Sequence, residues 1–221
     1  MQPAWKHVTG GAVIAAVLLI PAPAAEAPLT RPGQLTVSAI TGELGVRSGE
    51  SLRPAKVDER VRVDSRLVTG RRSLATLAFS NGASLELGPE SEVELEELLQ
   101  APFTTALKPS EWKAEPSVSR TRLRVIRGEV RVTLKRLLSA RGSSFLIVTP
   151  AGTASVDEGA LRAQVRMTEI GIGLCSVELM QGAATFQTEE GAARALEAGR
   201  RTQWSVETET AARRTRVTEL K

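Results

Sequence analysis

Residues 67–87, LVTGRRSLATLAFSNGASLEL, place apolar side chains at every second position, break at Asn81-Gly82, and then resume the alternation. Side chains on a pleated strand alternate faces, and Asn-Gly adopts the left-handed backbone that tight hairpin turns require. The stretch predicts two strands joined by a turn. The same strand, glycine, strand grammar returns in LRVIRGEVRVTL at 123–134 and in CSVELMQGAATF at 175–186.

The rest of the chain follows this grammar. A first strand is expected from Gln34, where Leu35, Val37 and Ala39 alternate with Thr36 and Ser38. Gly42 and Gly45 punctuate the next turn; a polar connector through Pro54 and a strand-like segment 57–63 lead to the hairpin, which Gly88-Pro89 ends. Residues 101–117 hold Pro102, Pro109 and Pro116 with little periodicity, which predicts a loop insertion. Its Trp112 is either pinned to the domain surface or available to a partner. Strands resume in FLIVTP at 145–150, turn at Gly152-Thr153, and continue through 161–167 with Arg162, Gln164 and Arg166 facing outward. Gly171 and Gly173 then precede the Cys175 strand, and 205–221 is expected to form a final strand followed by a frayed or helical end. Glycine-punctuated strand pairs recurring every 20 to 40 residues or so predict an all-β roll, or a short solenoid or sandwich of stacked hairpins. Leu, Val, Ile and Ala would line its interior.

Two segments carry opposite charge. In 90–99, Val93 and Leu95 alternate with Glu90, Glu92, Glu94 and Glu96, so a strand to Leu95 followed by a turn is expected, although Glu and Leu also favour helix. In 120–135, Arg120, Arg122 and Arg124 alternate with Thr121, Leu123 and Val125. If these strands are neighbours, their faces match, and exposed cross-strand pairs of about 0.2–1 kcal/mol each would select register more than they stabilise. Otherwise both are solvated outer faces.

The pattern over 34–204 resembles the periplasmic domain of the FecR family. The residues that carry the resemblance are Leu67-Val68-Thr69-Gly70, Ser73 with Ala75, Leu77 and Phe79, Asn81-Gly82 with Leu85, Gly128-Glu129-Val130, the run 145–150, and Gly182 and Gly199. Where family members usually carry Val-x-Gly-Thr, this chain has Val156-Asp157-Glu158-Gly159. The resemblance implies a signalling regulator of the cell envelope. In that family the domain receives a signal from an outer-membrane transporter, while a cytoplasmic helical domain controls a sigma factor. With seven residues ahead of the apolar run, no such cytoplasmic domain is expected here.

Residues 1–24 predict a signal peptide helix: Lys6 is followed by the apolar run 8–20, and Ala22-Pro23-Ala24 supplies small residues for a peptidase. Export to the periplasm is expected, with cleavage before Ala25 and an extended leader over 25–33; the alternative is an uncleaved anchor, the chain's one expected route to a membrane. The 29 basic residues, less Lys6, leave 28 against 25 acidic, so the exported form is only mildly basic. The full chain, with three Trp, four Phe and no Tyr, lacks the basic stripe interleaved with aromatics that nucleic acid binding uses.

Chemistry is bounded just as closely. The single histidine, His7, lies in the segment that export removes, leaving no imidazole for a triad, a shuttle or a metal. The single cysteine, Cys175, lies in an apolar strand and reads as a buried small residue. Ser110-Glu111-Trp112-Lys113 fits the S-x-x-K pattern of serine acylases without its companion motifs. Asp157 and Glu158, adjacent in an extended chain, point to opposite sides. Gly171-Ile172-Gly173 lacks the third glycine of a phosphate loop.

A non-catalytic envelope module without a cofactor or metal is therefore expected, binding a partner through an exposed sheet edge or its charged faces. Trp112, Trp204, Arg120, Arg122, Arg124, Glu92 and Glu94 are the candidate contact residues. The partner would be an envelope protein, such as the transporter domain that the resemblance implies; the alternative is peptidoglycan or surface polysaccharide held by Trp112 and Trp204. A hydrolase would have to use carboxylates alone.

Overall fold

The computed structural model describes residues 29, 31–168, 172–189, 191–209 and 214–220. The expected signal segment 1–24 lies outside them, as does most of the expected leader 25–33. Alternation of apolar residues produces β1 (Leu35–Thr41), β2 (Leu44–Ser48), β3 (Ser51–Pro54), β4 (Arg60–Val61), β5 (Arg66–Thr69), β6 (Leu74–Phe79), β7 (Ser84–Leu87) and β8 (Glu92–Gln100). Beyond the 101–117 loop come β9 (Ser119–Leu134), β10 (Ser144–Thr149), β11 (Gly152–Met167), β12 (Ile172–Gln187), β13 (Arg194–Ala195), β14 (Arg201–Glu209) and β15 (Arg214–Leu220). Helix among the described residues is confined to two short 3-10 turns, Pro109–Glu111 and Ser139–Arg141. None is long and apolar enough to cross a membrane. The all-β expectation holds.

All fifteen strands belong to one mixed sheet that forks at β9. The first half of β9 has β8 on one side and β10, in parallel, on the other; its second half has β7 and β11. One apolar row crosses six strands in register, Val37–Leu77–Leu85–Val132–Leu161–Leu179. A second follows Leu95–Leu123–Ile147–Ala154–Phe186. Both rows are buried in a single cluster, where Phe79 meets Phe145 edge to face at 5.4 Å. The two rows thus share one apolar core drawn from both halves of the sheet.

The Asn81-Gly82 hairpin forms as expected between β6 and β7, with Asn81 Oδ1 accepting the Ala83 N–H at 3.0 Å. Several other expectations are corrected. Gly128 and Gly182 do not separate paired strands but sit within the continuous 16-residue strands β9 and β12. Gly159 and Gly182 lie opposite one another with φ of 99° and 96°, and mark the bend of the β11–β12 ribbon. The polar connector through Pro54 is a β2–β3 hairpin, and only Arg60–Val61 of segment 57–63 is strand. A bulge between Val37 and Ala39 leaves Ala39 exposed and turns Ile40 toward the core. β8 does not stop at Leu95: it shifts register there and runs to Gln100, its far edge held by Gly33 N–H to Leu98 O and Gln100 N–H to Arg31 O. Gly173 is inside β12, and where a frayed or helical end was expected after a final strand, β15 pairs antiparallel with β14.

Candidate functional site

The two charged segments are neighbours. β8 and β9 pair antiparallel, with Glu92 opposite Arg127, Glu94 opposite Arg124 and Glu97 opposite Arg122. Glu92, 7% exposed, is a hub: Arg127 at 3.3 Å, Arg47 at 3.4 Å and Arg66 at 3.8 Å converge on its carboxylate. Glu94 holds Arg66 at 3.3 Å, and Glu96 takes Arg122 at 2.7 Å together with Arg124. Arg120 lies opposite Leu99, where its Nε reaches the Gly142 carbonyl at 3.5 Å. Four of the five charged candidates are thus engaged with one another or with neighbouring strands.

Neither candidate tryptophan is an open platform: both are buried, and of the two alternatives for Trp112 the structure shows the pinned one. Trp112, 9% exposed, is pinned: its ring lies over the Gly82 turn, where an added Cβ would meet it at 2.8 Å. Its indole N–H donates to the Leu107 carbonyl at 3.2 Å, and Phe103 stacks edge-on at 5.8 Å. The buried Glu115 ties down the other end of the loop, accepting from the Leu138 N–H at 2.7 Å and the Ser119 hydroxyl at 2.5 Å. The 101–117 loop is therefore fastened at two points.

Trp204, 4% exposed, lies at the floor of a cleft of about 490 Å³. β14 places it opposite Cys175 on β12, and its ring stacks on Phe186 at 4.1 Å with an interplanar angle of 22°. Val217 from β15 and Leu196 from the segment after β12 complete the apolar lining. The rim is charged and paired: Arg194 meets Glu219 at 3.3 Å, and Arg200 meets Glu197 at 3.0 Å. An aromatic floor beneath a polar rim suits an apolar side chain carried on a polar backbone. Sequence reading found Trp204 but not Phe186, Arg194, Val217 or Glu219, since only pairing among β12 to β15 brings them together.

The remaining chemical candidates separate in space or are inert. Burial pushes the Cys175 thiol up to about 11, against a smaller opposing effect of a hydrogen bond with the Ala151 backbone. The thiolate that a nucleophile requires is disfavoured there. Ser110 lies in a three-residue 3-10 turn that ends before Lys113, so no helix sets the S-x-x-K spacing. Asp157 accepts from the Ser139 hydroxyl at 2.9 Å, while Glu158 accepts from Arg136 Nε at 3.1 Å. Among the described residues, no three His, Cys, Asp or Glu side chains are placed to hold a metal ion.

Comparison with known proteins returns no matching family model and no matching curated protein. Two crystal structures of a "putative anti-sigma factor" from Parabacteroides distasonis ATCC 8503, at 2.50 and 1.65 Å resolution, are similar in part. They align with TM-scores of 0.44 and 0.43 at 12% and 11% identity, over 70% of this chain. The matched region spans 59% of the length of those proteins. An overlap of that size leaves the functional reading to this chain's own residues.

Proposed function

We propose that this protein is a FecR-like module of the cell envelope that recognises a partner protein and carries no catalysis of its own. The supporting observation is where the charged groups are spent. Glu92, Glu94 and Glu96 are occupied by arginines of their own sheet, which leaves the β12–β15 end, with its aromatic cleft and the outer edge of β15, as the surface suited to recognition. The resemblance over 34–204 and the apolar run 8–20 support an exported signal receiver. A polysaccharide site would need open aromatic platforms, and Trp112 and Trp204 are both buried.

The test is capture of an envelope protein by the full chain, in stoichiometric amount, from detergent-solubilised membranes of the native organism. A Thr202→Trp variant, which fills the cleft, should reduce recovery at least about tenfold, the scale expected when a contact worth roughly 1.4 kcal/mol is lost. Failure to recover any protein under several growth conditions would overturn the reading.

A further inference from the structure

β15 ends the strand order, and among the described residues nothing pairs with its outer edge. Exposed sheet edges are ordinarily blunted by proline, a bulge, an inward charge or a covering loop. β15, sequence RTRVTEL, has no proline or glycine and pairs with β14 over all seven residues without a register shift. Its one inward charge, Glu219, is already paired with Arg194 at 3.3 Å, and the edge is otherwise regular, with unused N–H and C=O groups. Its inward side chain Val217 lines the aromatic cleft, so a strand laid beside it would direct alternate side chains toward that cavity.

The charge pattern specifies the occupant. Several outer rows set acids beside arginines, as in Arg66–Glu94–Arg124 and Arg162–Glu178–Arg201, although Arg131 and Arg162 are direct neighbours. At the edge the row reads Glu207–Arg216 and stops, with Arg216 exposed and an acid on one side only. An acidic residue opposite Arg216 would continue the alternation seen at Arg66–Glu94–Arg124, and the residues flanking it would face the cleft. We infer that β15 accepts one extended segment of a partner protein in which acidic and apolar residues alternate, adding it as a further strand. The inference rests on the protein-recognition reading proposed above and names the place and chemistry of that contact.

The experiment uses the full chain with two seven-residue peptides, one alternating glutamate with valine and one alternating lysine with valine. Amide hydrogen exchange at 214–220 and Trp fluorescence report binding. The glutamate peptide should slow exchange along β15 and bind about fivefold more tightly than the lysine peptide, and Arg216→Glu should reverse that preference. Equal binding of the two peptides, or protection elsewhere with none at β15, overturns the inference. So does concentration-dependent dimerisation abolished by Arg216→Glu, because the occupant is then a second copy of this chain. A Val217→Pro variant separates this inference from the broader reading. Undiminished envelope-protein capture by that variant sinks the edge site alone, whereas no capture by the unaltered chain sinks protein recognition as a whole.

Discussion

Replacing either glycine of the β11–β12 bend should be among the costliest single changes in this fold. A Cβ on Gly159 would stand 2.0 Å from the Gln181 carbonyl oxygen and 2.7 Å from the Gly182 Cα. A Cβ on Gly182 would stand 2.1 Å from the Glu158 carbonyl oxygen and 2.7 Å from the Gly159 Cα. Two costs combine. An L side chain held at φ near 99° carries about 1–3 kcal/mol of backbone strain. Relieving the overlap requires the strands to part, which forfeits ladder hydrogen bonds of about 1 kcal/mol each, about 2 kcal/mol for two. Gly159→Ala and Gly182→Ala should each cost about 3–5 kcal/mol. Gly49 is the control, because its φ is also positive, at 60°, but nothing lies within 4 Å of an added Cβ. Gly49→Ala should therefore cost only about 1–2 kcal/mol. Once one alanine has opened the bend, the second meets less resistance, so the double variant should fall short of additivity by about 2 kcal/mol. Urea unfolding followed by Trp fluorescence measures all four free energies. If Gly159→Ala proves no worse than Gly49→Ala, or if the double variant is strictly additive, steric closure is not what fixes this bend.

Two further perturbations follow from the buried groups. The Cys175 thiol, raised to about 11 by burial, favours the proton-bound folded state, so its stabilisation is complete below the unfolded value near 9 and is lost as pH rises toward 11. The fall over that window should be about 2–3 kcal/mol larger in the unaltered chain than in Cys175→Ala, and thiol labelling at pH 8 should require urea; rapid labelling of the native protein would contradict the burial. Trp112→Ala removes the ring that rests on the Gly82 turn, and should cost about 3 kcal/mol while exposing Lys113 to trypsin. An unchanged rate of cleavage at Lys113 would show that Glu115 alone fastens the loop.

Period-two patterning is a local property, and it made the β6–β7 hairpin and the all-β class legible from the residues themselves. Glycine was harder. Asn81-Gly82 closes a turn because β6 and β7 pair with each other, whereas Gly128 and Gly182 look the same in sequence but carry strands that have partners on both sides of the glycine. The choice between turn and bend is made by those distant strands. Likewise the helical propensity of Glu96-Glu97-Leu98-Leu99 gives way to pairing with β9 on one edge and with residues 31–33 on the other. The charge match of β8 with β9 was readable as a possibility of sequence. The arginines that also reach Glu92 from β2 and β5 were not, because sequence spacing does not place those strands beside β8. Trp204 was recognisable as a residue of interest, but its cleft depends on four strands meeting.

The charged rows do something that the apolar rows cannot. A slip of one residue in a strand pair turns its core residues outward and is strongly disfavoured, but a slip of two keeps every apolar side chain on the inner face. Hydrophobic patterning is nearly blind to that error. In the β2–β5–β8–β9 region, Glu92, Glu94 and Glu96 make six contacts with Arg47, Arg66, Arg122, Arg124 and Arg127, and a two-residue slip of β8 would displace them together. At about 0.2–1 kcal/mol each, the set distinguishes correct from slipped pairing by about 1–6 kcal/mol, even though each pair adds little to stability. Register selection is thus the use this protein makes of the charges in the β2–β5–β8–β9 region. β15 stands apart because Arg216 has an acid on one side only, and the added strand proposed above would supply one on the other.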